Sequence, residues 1–166
     1  KAEVAFEKAK EKALESQSTY NSNLVELELA IFYLRQDQFE KGLASAKKAY
    51  DYFTAEGNQS EALRAAFCCS LALSVTGDKD EALAYLEKVL PALLENNYAT
   101  PLIVQARELK ELLISVKGNH EIKRQFARIV ARVDSFEEKL PVTRRKIRRQ
   151  VTIMPFAPPK MIIQSF

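Results

Sequence analysis

The feature that most constrains this chain is a self-similarity at an offset of forty residues. Gln38-Phe39-Glu40-Lys41-Gly42-Leu43-Ala44 lies over Asp78-Lys79-Asp80-Glu81-Ala82-Leu83-Ala84, and the register extends to Ala30 over Ser70, Ala46 over Leu86, Ala49 over Val89 and Phe53 over Leu93. One step back, Ala2, Phe6, Ala9 and Ala13 fall under Gly42, Ala46, Ala49 and Phe53. A period of this kind marks a stacked array, in which each unit has too little apolar surface to bury alone and completes its core against its neighbours.

Within each unit the apolar spacing is helical. Leu83, Leu86, Val89, Leu90 and Leu93 follow the three-four alternation of a buried helix face. The punctuation agrees: Asp37 and Asp78 suit N-cap positions, Gly57, Gly77 and Gly118 suit left-handed turns, and Thr100-Pro101 reads as a cap followed by Pro in the first turn. These signals predict helices near 1–17, 22–36, 39–56, 60–76, 79–97, 101–117 and 120–139. Pro91 falls inside the fifth, where the apolar phase continues on both sides, so a kink rather than a stop is expected. Ala30 and Ser70 in first helices face Gly42 and Ala82 in second helices at matching places, which sets a short distance between paired helices.

The stretch Leu29-Ala30-x-x-Tyr33, followed by Phe39-x-x-Gly42-x-x-x-Ala46-x-x-Ala49, resembles the tetratricopeptide repeat. Ala66-x-x-Cys69-Ser70-x-x-Leu73-x-x-x-Gly77-Asp78-x-x-x-Ala82-x-x-x-Leu86-x-x-Val89 resembles it again. The likeness covers residues 1–97, with a degenerate unit to 139. It implies an all-α fold of antiparallel helix pairs stacked into a right-handed superhelix. The period departs from that family's usual ~34 residues. Asp37 stands where Gly is common, and Lys110 occupies a normally small position, so the last pair is expected to pack irregularly. The longer period resembles the arrays of large bacterial, MalT-like transcription regulators, which lie between an ATPase module and a DNA-binding domain.

Charge divides the chain in two. Of 25 Lys and Arg, six lie beyond Leu140 with no acid among them, leaving 19 cations against 22 acids before it. Four of six prolines also fall from Pro141 onward. A boundary is therefore placed between a helical repeat domain, 1–139, and a basic, Pro-containing linker, 140–166, which ends in the β-like run MIIQSF. That run resembles the first strand of a truncated DNA-binding domain. The opening KAEVAFEKAK lacks an initiator Met and a signal peptide, so a fragment of a longer cytoplasmic protein is expected. No apolar run reaches the ~18 residues of a membrane span.

The materials of catalysis are sparse. His120 is the one imidazole, beside Asn119 and Glu121 at a helix start, and reads as a solvated or capping residue. Cys68 and Cys69 are adjacent in a helix, form no CxxC or CxxH pattern, and read as small, reduced core residues. GxxxxGK[ST], GxGxxG and GxSxG are all missing. No catalytic residue, metal or cofactor is expected, and the chain reads as a non-enzymatic binding and signal-relay module.

First helices that are apolar nearly all round must be covered on more than one side. In a stacked array they line the inner wall, so Leu24, Leu27, Ile31, Arg64, Phe67, Leu71 and Arg107 are the candidates for a groove that holds a protein or peptide. The alternative is that neighbouring repeats bury the apolar members. Two guanidiniums on such a wall would suit an acidic peptide or a ligand carboxylate. Arg144, Arg145, Lys146, Arg148 and Arg149 form a solvated linker, contact the acidic helical body, or meet phosphates. The tail docks on the helices or pairs with another copy, and DNA would be reached only through a neighbouring domain. The rival expectations are a plain interaction scaffold and a self-association module.

Overall fold

The three-four apolar spacing becomes helix throughout. The structure, a computed structural model, describes residues 2–15, 17–95, 100–116 and 120–139. Among them are eight α-helices and no strand: α1 (Ala2–Glu15), α2 (Thr19–Leu34), α3 (Phe39–Ala55), α4 (Gln59–Thr76), α5 (Lys79–Glu95), α6 (Thr100–Glu108), α7 (Lys110–Ser115) and α8 (His120–Glu138). No helix among the described residues is long and apolar enough to cross a membrane. Gly118 and the whole of 140–166, with its basic run and MIIQSF, lie outside the described residues.

Helix ends follow from local chemistry. Asp78 caps α5 by accepting from Glu81 N at 3.1 Å. Ser18 caps α2 in the same way, accepting from Asn21 N at 3.2 Å. Gly57 (φ 72°) and Gly77 (φ 117°) take the left-handed turns. Asp37 departs from its expected capping role. It sits at φ 55°, so it occupies the left-handed residue between α2 and α3, and Gln38 precedes α3 without a side-chain cap. The reason is the tight turn itself: Gln38 N bonds back to Tyr33 O at 2.9 Å, as Asn58 N bonds to Phe53 O at 2.9 Å after α3. Asp37 fills the place that Gly57 fills twenty residues on.

Pro91 lies within α5, which runs on to Glu95. The helix expected over 101–117 is instead broken at Leu109, whose φ −100° and ψ 10° leave the helical region between α6 and α7. Lys110 stands forty residues beyond Ser70, and a lysine cannot enter the close crossing that Ala30 and Ser70 occupy. The chain turns aside there, with Leu109 itself buried.

Helices adjacent in sequence pack on one another from α1 to α5, and α2 also touches α4, as α4 touches α6. At the α2–α3 crossing a Cβ on Gly42 would lie 3.1 Å from Leu34 Cγ and 3.4 Å from Ala30 O, so the two backbones approach closely. The burial pattern keeps the forty-residue step. Gly42, Ala46, Ala49 and Phe53 are buried in α3. Ala82, Leu86, Val89 and Leu93 are buried in α5, and Ile122, Phe126, Ile129 and Val133 in α8. The step is weaker in α1, where Ala13 is buried but Ala9 is exposed.

At the centre lies α4, in which every residue from Ala65 to Ser74 is buried. A helix enclosed on all sides must satisfy its own polar groups. Ser70 Oγ donates to Phe67 O at 2.8 Å and Ser74 Oγ to Ser70 O at 2.6 Å. The chain divides into two compact units, Lys1–Val133 and Asp134–Phe166, the first holding α1 to α7 and the buried stripe of α8. Of the second unit, the described part is the end of α8 and Lys139.

Candidate functional site: a polar seam across alternate helices

Three helices that touch, α2, α4 and α6, each carry one long polar side chain toward the others. Arg64 of α4 donates from Nη2 to Glu28 Oε1 of α2 at 2.7 Å and from Nε to Gln105 Oε1 of α6 at 2.8 Å. Gln105 in turn donates from Nε2 to Arg64 O at 2.9 Å and contacts Cys68 Sγ at 3.0 Å. Gln105 is 2% exposed, while Arg64 and Glu28 side chains keep 17% and 45% of their surface. The seam is thus dry at α6 and wet at α2. An ion pair in that setting is stronger than one on an open surface, and its geometry is fixed by a third partner.

The seven residues expected to line a groove separate into two groups. Leu27, Phe67 and Leu71 have no exposed surface and Ile31 is only 5% exposed, so these four belong to the core and offer no wall to a partner. The physical reason is the enclosure of α4 and of the α2 face toward it: neighbouring helices already cover what an open array would leave bare. Leu24, Arg64 and Arg107 are half-buried and reach solvent. The Arg64 guanidinium, expected to hold an acidic partner, already meets the Glu28 carboxylate of this chain.

Glu28 and Gln105 were not among the residues the sequence singles out. Their signal was a polar residue within an otherwise apolar helical phase: Gln105 sits amid Leu102, Ile103 and Ala106, and Glu28 between Leu27 and Leu29. Glu26 is a third such residue, 5% exposed. Its Oε1 accepts from Lys48 of α3 at 2.8 Å and from Lys10 of α1 at 2.9 Å, so one carboxylate ties three helices. Burial pushes the Glu26 carboxyl up, but hydrogen bonds from Lys48 and Lys10 outweigh it and leave the group below its ordinary value.

Cys68 and Cys69 are fully buried and free. Burial drives the Cys68 thiol far up and the Cys69 thiol to about 12, so both stay protonated at neutral pH. His120 is exposed at the start of α8. Among the described residues no three His, Cys, Asp or Glu side chains converge as a metal ion would need. Arg144, Arg145, Lys146, Arg148 and Arg149 lie outside the described residues. No family model, curated protein or solved structure matches this chain.

Proposed function

We propose that this chain is a tetratricopeptide-like helical repeat array, wound as a right-handed superhelix, that binds a partner and relays its presence without catalysis. The observation that supports it best is the forty-residue step in burial through α3, α5 and α8, together with the contacts α2–α4–α6. Successive hairpins that share a core in this way move together, because a packed interior passes displacement on rather than absorbing it. The seam Glu28–Arg64–Gln105 adds a polar linkage along the same row of first helices.

The partner is a protein or peptide held where Leu24, Glu28 and Arg107 reach solvent on that row. It can shift the array between two curvatures only through its differential affinity for them. By its resemblance to MalT-like regulators, this activity would belong in the cytoplasm of a bacterium, between other modules of a transcription regulator. DNA would then be bound by an adjoining domain, with Arg144, Arg145, Lys146, Arg148 and Arg149 supplying phosphate or acidic-surface contacts beside it. Homo-oligomer formation would run through the tail.

NMR titration of the chain with short peptides of either charge tests this role. Saturable shifts at Leu24, Glu28 and Arg107 that spread to α5 and α8 are expected. Shifts confined to the contact residues would instead indicate a plain scaffold, and spectra that change with protein concentration alone would indicate self-association.

A further inference from the structure

Beside the turn between α3 and α4, the helices α3, α4 and α5 border an open cavity of about 240 Å³. Phe53 and Ala66 lie buried beneath it, and Thr54, Gln59 and Leu63 reach its surface. At its mouth stand Tyr50, half-buried, and Lys88, exposed. We infer that this cavity is a binding site for a small carboxylic acid with a compact apolar body, such as an aryl or branched-chain acid in its anionic form. It shares α4 with the first-helix row but none of the residues at which the partner is placed there, and goes beyond the role proposed above.

Two donors meet at the mouth. Lys88 Nζ donates to Tyr50 Oη at 2.8 Å and lies over the rings of Tyr50 and Tyr85, 5.0 and 5.3 Å from their centroids. The Tyr85 ring stands edge-on to Tyr50 with centroids 5.2 Å apart, which fixes the tyrosine pair under the ammonium. Because Tyr50 accepts from Lys88, its own O–H proton is left to donate, and the ammonium keeps two further protons. Among the described residues no carboxylate pairs with Lys88, whereas nearby Lys47 and Glu81 pair with each other at 2.7 Å. Two neighbouring donors, one of them an ammonium with no carboxylate partner among the described residues, match the two oxygens of a carboxylate.

Size sets the rest of the ligand. An enclosed apolar cavity of ~150 Å³ admits benzene; this open one, of about 240 Å³, has room for one ring laid against it with its acid-bearing chain at the mouth. A neutral hydrocarbon would fill the walls but leave the donors unused, and a cation would meet Lys88. Since the cavity touches α3 of one hairpin and α4 and α5 of the next, a bound acid would bridge the two.

The test is an NMR titration of the full chain with phenylacetate, and with phenylacetamide as its neutral counterpart. Phenylacetate is expected to give saturable shifts at Phe53, Leu63 and Ala66 and to bind about tenfold tighter than the amide, the weight of one charge-assisted hydrogen bond. Lys88→Gln, at an exposed site, should erase that preference, and Thr54→Phe should fill the cavity and abolish binding of both probes. Equal affinity for acid and amide in the unsubstituted chain, or no saturable shift at Phe53 and Leu63, would overturn the inference whatever the variants do. Neither result bears on peptide binding at Leu24 and Arg107.

Discussion

At the scale of single residues, Gly42 and Glu26 hold close contacts between helices. A methyl at position 42 meets Leu34 at 3.1 Å. Gly42→Ala therefore sets ~1 kcal/mol of gained helix propensity against that squeeze, whereas Gly42→Val overpacks the crossing and should cost about 1 to 3 kcal/mol in urea unfolding. An unchanged midpoint for the valine variant would mean that α2 and α3 do not approach as described. Glu26 makes a pH prediction. Its folded carboxyl titrates below its unfolded value, so its stabilisation is complete above the unfolded pKa and fades as pH falls through the folded one. Glu26→Gln should cost about 1 to 2 kcal/mol at neutral pH, the lower range because Lys10 and Lys48 are partly exposed. The two proteins should converge in stability under acid, and parallel acid melts would count against the shared carboxylate. The thiols give a third check. With both cysteines fully buried and their thiols raised, a thiol reagent at neutral pH should label them only at the rate of unfolding. Rapid native-state labelling would place at least one of them at the surface.

At the scale of elements, the second helices were the most legible part of the sequence. Their core positions recur at a fixed step, and the structure buries them at that step in α3 and α5. The same step reaches Ile122, Phe126, Ile129 and Val133 of α8, where the residue types no longer resemble Gly42 and Ala46 and the periodicity was harder to see. Phe126→Ala should accordingly cost about 3 to 5 kcal/mol, and a loss under ~1 kcal/mol would remove α8 from the shared core. First helices were less legible for a physical reason. A leucine facing the interior and a leucine lining a groove look alike in sequence, so Leu27, Phe67 and Leu71 could not be told from groove residues until the enclosure of α4 was known. Arg64 stood out as a cation in an apolar helix, but its partners lie 36 and 41 residues away on other helices. No spacing rule within one helix reaches that far. Likewise Asp37 looked like a cap because Asp serves both at caps and at left-handed turns, and only φ separates the two. Gln105→Ala would leave Arg64 Nε and Arg64 O without their partner, at about 1 to 3 kcal/mol, and amides of α6 should exchange faster than those of α4.

At the scale of the whole molecule, the claim is that no helical hairpin in the first unit is self-sufficient. The second helices α3, α5 and α8 bury one face, and α4 is enclosed only because α2, α3, α5 and α6 all touch it. In an array of the proposed kind, stability would be a sum of unit and interface terms. That is also what a relay needs, since a hairpin able to stand alone would have no reason to respond to its neighbour. Residue-resolved hydrogen exchange of the full chain across a urea series measures this directly. Amides in α2, α3, α4 and α5 are expected to open along one common isotherm, with Ala65–Ser74 among the last to exchange. Separate isotherms for α2–α3 and α4–α5 would contradict it.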